Sequence, residues 1–396
     1  VLAAPQMAAS IDWGRQSDRT AKSDSPSWFA PPLKSGQRHE AFQYSIAPWH
    51  SLELVTPRAF GSLFPINARS SRLIAGDGRM WTPTIYMGFL SLIAIATTAT
   101  NWQSHRPDRW SAIALLGLLL SMGHFGLVWW VQAVTPWFDQ FDSSVGGPYW
   151  LLYQFLPGYD SFRYPAKWLP IFALAVAILT ARVVDRGLSI RHANFVAGTL
   201  IMSLGLALLL KLFPLEFDAE ALWIAGDEFW GPLDVRRCFD QTVVSLVQSV
   251  LVVVAALVVI QQSIRRNWSE RKRLVWILAI VSIDLALSAH HQIAVVSSSR
   301  QADLMSSVGF ESMPSETRAM RTRGGDGWPD KWTETSSTDR MEDVEASLRV
   351  SHFGRWHLVD HGAMLGSMVS IRHQRMAEFW NAMRTLASNT SVTDQT

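Results

Sequence analysis

Residues 242–264 read TVVSLVQSVLVVVAALVVIQQSI, a run of 23 residues without a charged side chain. At 1.5 Å per residue, a helix of this length covers the roughly 30 Å hydrocarbon core of a bilayer. Soluble cores rarely contain an apolar segment so long. The stretch therefore predicts a transmembrane helix.

Five other apolar runs of similar length occur in the chain, at 80–100, 111–135, 168–184, 193–210 and 274–296. The run at 168–184 is the shortest, and it depends on Lys167 and Arg182 extending toward opposite interfaces. A hydrophobic content of 48% would also suit a two-domain soluble protein, so the distribution of apolar residues decides the class. The sequence predicts a mainly α-helical, polytopic transmembrane bundle of about six spans within residues 80–296.

The linkers between the predicted spans separate by length and charge. The two long linkers, 136–166 and 211–241, are acidic. The three short linkers are basic, with Arg106, Arg109, Arg182, Arg186, Arg191, Arg265, Arg266, Arg271, Lys272 and Arg273. Because Lys and Arg of short linkers stay on the cytoplasmic side, the long linkers and both ends of the chain are predicted to be extracytoplasmic.

The two flanking regions differ in composition from the predicted bundle. Residues 1–79 predict an extracytoplasmic loop, with an interfacial segment at 48–64 that mixes Trp, Leu and Phe with Pro and Gly. Residues 297–396 predict a small extracytoplasmic α+β cap. The chain starts at Val1 without signal-peptide features, so we expect a fragment of a bacterial inner-membrane protein that lacks its N-terminal membrane helices.

Charge and cysteine content exclude several classes of protein. A net charge of +2, with basic residues in short clusters, argues against a nucleic-acid partner and leaves membrane lipid as the expected one. The single cysteine, Cys238, excludes an intramolecular disulfide and a cysteine-based zinc site. The histidines of the predicted outer regions fit no defined zinc motif, so no metal ligand is assigned.

The most distinctive segment, LPGYDSFRYPAKW at 156–168, leads from an outer linker into a predicted span. Pro165 suits the first turn of a helix, and Arg163 and Lys167 lie beside the unsatisfied amides of that turn. The arrangement predicts a site for phosphate or pyrophosphate. The alternative interpretation is that both cations bind ordinary lipid headgroups.

This segment resembles the corresponding stretch of the YfhO-type bacterial membrane proteins, a family related to GT-C glycosyltransferases. LVTPRAFG at 54–61, YMG at 86–88 and Asp284 resemble further family elements in the same order, and the resemblance covers about residues 50–300. It implies an enzyme that transfers a sugar from a polyprenyl-phosphate carrier on the outer face of the membrane. Arg163, Tyr164 and Lys167 are then the expected substrate-binding residues.

In GT-C enzymes an acidic residue of the first outer loop acts as base or metal ligand. That loop follows the first membrane helix, which we expect this chain to lack, so the catalytic carboxylate is not assigned. Within the chain, Asp139 and Asp142 are the nearest approach to a paired acidic motif. Two carboxylates at this spacing could share a divalent cation, Mg²⁺ or Mn²⁺, that neutralises a leaving phosphate. The alternative is a solvated acidic loop.

Asp284 falls within the last predicted span, where a carboxylate is costly unless it is paired, neutral or beside water. His124, inside the second predicted span, is the partner that we expect for it. Such a pair suits either hydrogen bonding between helices or proton handling. The second use suggests a transporter or flippase as an alternative function, and a third hypothesis is a non-catalytic scaffold of the cell envelope.

Overall fold

A computed structural model describes residues 27–33, 36–63, 65–74, 82–101, 108–186, 229–290, 297–307 and 330–350, with shorter pieces such as 201–203 and 381–383. The described residues are mainly helical. Their α-helices are α1 Gln37–Ala41, α2 Phe89–Asn101, α3 Arg109–Ser121, α4 Leu127–Gln132, α5 Pro148–Phe155, α6 Leu169–Asp185, α7 Val235–Arg265, α8 Glu270–His290, α9 Ser298–Ser307 and α10 Arg340–Val350.

Three helical segments are long and apolar enough to cross a membrane: Pro165–Asp185, Val235–Arg265 and Glu270–His290. The first consists of a 3₁₀ turn, Pro165–Trp168, that continues into α6. These segments confirm helices in the runs predicted at 168–184, 242–264 and 274–296, the last of them as far as His290. Many of their outward side chains are apolar and exposed, such as Leu174, Leu251 and Val275, which is expected where lipid replaces water.

The first two predicted spans are shorter helices than the sequence suggested. The chain at 82–88 is not helical, and α2 begins only at Phe89. The predicted span 111–135 is broken, because α3 ends at Ser121 and α4 is a separate six-residue helix. Gly123 causes the break: its φ is +39°, and an added Cβ would lie 2.3 Å from Cγ of Pro165.

The helices of the bundle share one apolar core, and within it α3 and α6 run antiparallel. Asp108, at the start of α3, forms an ion pair with Arg182 near the end of α6. Gly117 of α3 lies against the backbone of Phe172 in α6, where an added Cβ would meet the Phe172 nitrogen at 3.0 Å. The core is formed by buried apolar side chains of α2, α3, α6, α7 and α8. These contacts fix α3 and α6 side by side.

A layer of short elements packs over one end of the bundle, and we call it the platform. It consists of residues 36–63, 65–74 and 136–168. Its short elements include α1, α5 and the 3₁₀ turns Pro48–Leu54 and Ser70–Leu73. Aromatic side chains such as Phe42, Tyr149 and Tyr159 form its apolar centre. The platform contacts the chain at helix ends that the linker charges predict to be outer. The Ile46 N–H donates to the Ser121 carbonyl at the end of α3, and the Asp234 N–H, just before α7, donates to the Asn67 carbonyl. Glu53 accepts from the Ile85 N–H in the chain that leads into α2.

Two regions of the prediction lie largely outside the described residues. The fourth predicted span, 193–210, is described only in part. Within 297–396, α9, α10 and a parallel pair of two-residue strands, β1 Ala319–Met320 and β2 Met364–Leu365, are described. An α+β cap and the domain limits at 79 and 296 stay predictions.

Candidate functional site

The predicted anion site at Arg163 and Lys167 lies where the platform meets α6. The Arg163 guanidinium forms an ion pair with Glu40 at 2.6 Å and donates to Oε1 of Gln37 at 3.2 Å. Lys167 Nζ lies 4.9 Å from the centre of the Tyr164 ring. Arg163 is therefore already neutralised by the protein. Its predicted role as a phosphate ligand stays a prediction that these contacts do not support.

Tyr164 holds a backbone conformation that non-glycine residues rarely adopt, with φ at +73°. Its N–H donates to the Ala41 carbonyl at 3.0 Å. Its ring packs edge-on against Tyr44, whose φ is also positive, with ring centres 4.8 Å apart. Strain of this kind persists only where tertiary contacts maintain it. Tyr164 thus joins α1 to the start of α6.

The acidic pair Asp139 and Asp142 does not behave as one unit. Asp139 is exposed, whereas Asp142 is 3% exposed and lies within 3.5 Å of the Arg38 guanidinium. Both Asp142 carboxylate oxygens also accept hydrogen bonds from Ser144. Among the described residues, no group of three or more His, Cys, Asp or Glu is arranged to hold a metal ion. The predicted Mg²⁺ or Mn²⁺ site at this pair gains no support.

The expected pairing of Asp284 with His124 is wrong. His124 lies in the turn after α3, and its N–H donates to the Ser45 hydroxyl at 2.9 Å. The Asp284 carboxylate instead accepts hydrogen bonds from residues of α2, α7 and the chain before α2. A polar path through the bundle, as the transporter hypothesis requires, therefore cannot rest on this pair.

Asp284 caps the start of α2 from the neighbouring helix α8. It is fully buried, and its Oδ2 accepts from the Tyr86 hydroxyl at 2.6 Å and from the Phe89 N–H at 3.2 Å. Its Oδ1 accepts from Gln248 Nε2 of α7 at 3.3 Å. A carboxylate at the first amide of a helix is favourably placed relative to the helix dipole. The carboxylate thus joins three helices.

Arg69 and Glu53 form a second buried polar group, inside the platform, in which both charged side chains have protein partners. Both side chains are 1% exposed, and Nη2 of Arg69 lies 2.8 Å from Oε1 of Glu53. The other Arg69 nitrogens donate to the Ser71 hydroxyl and the Pro83 carbonyl. The second Glu53 oxygen accepts from the Ile85 N–H. This pair anchors the chain just before α2.

Arg58 is also buried, but its guanidinium has no such set of partners. Its side chain is 5% exposed, and among the described residues its Nε and Nη2 have no hydrogen-bond partner. Burial lowers the pKa of Arg58 from that of an exposed arginine, yet a guanidinium stays protonated in proteins. A buried, uncompensated positive charge is costly. Arg58 therefore marks a position where an anion would be stabilising.

The chain around Arg58 is fixed along the first turns of α7. The Thr56 hydroxyl lies 2.8 Å from that of Ser245, and the Ala59 carbonyl accepts from the Thr242 hydroxyl at 3.2 Å. Further along, the Ser62 N–H donates to Gln241 Oε1 at 2.6 Å. Arg58 is thus held at the depth at which the predicted span 242–264 begins.

A groove of about 400 Å³ runs from Arg58 between α7 and α8. Apart from Arg58 and Gln248, its lining is aliphatic: Val244, Val247, Leu251, Val252, Ala255, Ile280, Ile283 and Leu287. The groove therefore combines one cationic end with a hydrocarbon wall. We call it the Arg58 groove.

The sequence alone predicts no role for Arg58, Glu53 or Arg69. Arg58 belongs to the LVTPRAFG stretch, which lies in the segment predicted at the headgroups. A cation in that segment, two residues after Thr56, is the sequence feature that could have indicated its role. Two other resemblance elements, Tyr86–Gly88 and Asp284, prove to be in direct contact. Their separation of about 200 residues concealed that contact.

No protein-family model, no curated protein and no solved structure matches this chain.

Proposed function

We propose that this chain is a multi-pass protein of the bacterial inner membrane, with six spans, its short basic linkers in the cytoplasm and both of its ends outside. Three membrane-length helices support the membrane assignment. The alternating linker charges support the orientation. The platform adds support, because it gathers at one end of the bundle the helix ends predicted to be outer.

The orientation predicts the labelling of two engineered cysteines. Cys238 is replaced by Ser first, since it is the only cysteine in the chain. Gln140→Cys is then placed in the exposed part of the platform, and Ser269→Cys in the exposed linker between α7 and α8. A membrane-impermeant maleimide should label residue 140 in intact spheroplasts and residue 269 only after permeabilisation. The reverse pattern would overturn the orientation.

We further propose that the protein acts as a GT-C-like glycosyltransferase, moving a sugar from a polyprenyl-phosphate carrier at the outer face. One observation carries this function: the platform is an ordered layer lying directly on the ends of the membrane helices. Two ion pairs join its two segments to each other, between Arg163 and Glu40 and between Arg38 and Asp142. A reaction on a membrane-anchored donor requires a rigid site at that boundary.

The direct test is the loss of labelled sugar from a polyprenyl-phosphate donor. Membranes that contain the full-length protein should release the sugar, and membranes from the same host without the protein should not. Equal release from the two preparations, across hexose and aminosugar donors, would overturn the transferase proposal.

Variants of the Arg163–Glu40 pair distinguish two roles of Arg163, as the predicted phosphate ligand or as a structural partner of Glu40. Because the two side chains neutralise each other, we expect Arg163→Ala and Glu40→Ala to destabilise the protein equally, by about 1–2 kcal/mol each. Turnover should fall in parallel in the two variants. Melting in detergent micelles and sugar release measure the two effects. Loss of turnover in Arg163→Ala alone would instead make Arg163 a phosphate ligand.

A further inference from the structure

The Arg58 groove has the two parts that an amphiphile with an anionic head requires. At one end lies a guanidinium that is 95% buried and that has two nitrogens unpartnered by described residues. Along the rest of the groove the walls are aliphatic side chains of two membrane-length helices. A water-soluble anion would leave this wall bare, and an uncharged apolar ligand would leave the cation unpaired.

The length of the groove limits the size of its occupant. Its lining on α7 extends from Val244 to Ala255, a rise of eleven residue steps, or about 16 Å along the helix. One leaflet of a bilayer has a hydrocarbon depth of about 15 Å, half of the roughly 30 Å core. The groove therefore matches one acyl chain of a lipid that stays within a single leaflet.

The depth of Arg58 fits the same occupant. The hydrogen bonds of Thr56 and Ala59 to the first turns of the predicted span set the guanidinium at the expected headgroup boundary. A phosphodiester there can accept two N–H groups of one guanidinium, a geometry that an ammonium group does not offer. A net-negative headgroup also neutralises the buried charge, whereas a zwitterionic headgroup brings a competing cation of its own.

We propose that the Arg58 groove is a binding site for one anionic phospholipid, with the lipid phosphate on Arg58 and one acyl chain between α7 and α8. Gln248, which also lines the groove, donates to Asp284. A bound headgroup thus lies next to the hydrogen-bonded group that holds α2, α7 and α8 together. The bound lipid stabilises this packing. This site stands independently of the transferase proposal.

The test uses native mass spectrometry and melting of the full-length protein after delipidation in detergent. Phosphatidylglycerol should remain bound and raise the melting temperature, while phosphatidylethanolamine and inorganic phosphate should do so far less. Arg58→Met should weaken phosphatidylglycerol binding by roughly 10- to 100-fold, the worth of a charge-assisted contact. Without lipid, Arg58→Met should melt no lower than the wild type, because it removes an uncompensated charge.

A second variant tests the acyl chain without changing the cation. Ala255→Phe should fill the far end of the groove and weaken binding, whereas Val254→Phe, an exposed neighbour on α7 outside the groove, should not. Equal binding of phosphatidylglycerol by Arg58→Met and the wild type would overturn the site. Retention of polyprenyl phosphate in preference to phosphatidylglycerol would also overturn the phospholipid assignment. In that case the groove would be the binding site of the polyprenyl-phosphate carrier.

Discussion

Replacing Arg69 with alanine should destabilise the protein by about 3–5 kcal/mol, because it leaves the Glu53 carboxylate charged and buried without its partner. Both side chains are 1% exposed, so water cannot replace the lost guanidinium. The same change frees the Pro83 carbonyl and the Ser71 hydroxyl from their donor. The measurement is unfolding of the purified protein in detergent micelles, followed by tryptophan fluorescence.

Arg72 provides a matched control in the 3₁₀ turn Ser70–Leu73, which Arg69 directly precedes. Its ion pair with Asp227 leaves the arginine side chain 33% exposed, so Arg72→Ala should cost no more than about 1 kcal/mol. The double variant Arg69→Met with Glu53→Gln should recover most of the loss, because no buried charge then lacks a partner. If Arg69→Ala were as mild as Arg72→Ala, the pair would not anchor the platform.

Replacing Asp284 with alanine should cost about 2–4 kcal/mol. The change leaves the Tyr86 hydroxyl and the Phe89 N–H without the oxygen that they share. It also removes one of the two acceptors of the Gln248 amide, which keeps the backbone carbonyl of residue 284. Asp284→Asn should cost less, because one amide oxygen can still accept from Tyr86 or Phe89. Melting in micelles measures both variants.

Ser282 is the control on the same helix, since its side chain is exposed two residues away from Asp284. Ser282→Ala should change stability by less than about 0.5 kcal/mol. If Asp284→Ala and Ser282→Ala had equal effects, the carboxylate would not cap α2, and the proposed joining of three helices would fail.

The long apolar helices could be predicted from the composition of each run. A run such as 242–264 has one stable arrangement in lipid, because a helix satisfies its own backbone hydrogen bonds there. For that reason the helices at Pro165–Asp185, Val235–Arg265 and Glu270–His290 appear where the sequence predicts them. The end of the helix at Ser121 could not be predicted in this way, since the apolar run continues past it to 135.

The partners of the charged residues depended on the tertiary structure. Nothing local indicates that Arg163 faces Glu40, that Asp284 faces Tyr86, or that Arg58 faces a groove. Each of these contacts joins residues that are more than 100 positions apart, and the chain contains many other acids and bases that could have served.

The sequence by itself determined the membrane class, the three long helices and the alternating charge of the linkers, because these follow from the free energy of placing each segment in lipid or water. Only the tertiary structure decided that Arg69 and Glu53 are buried as a pair and that Arg58 lies at a groove. Those outcomes depend on how distant segments pack, and a pairing energy exists only after that packing has brought the groups together.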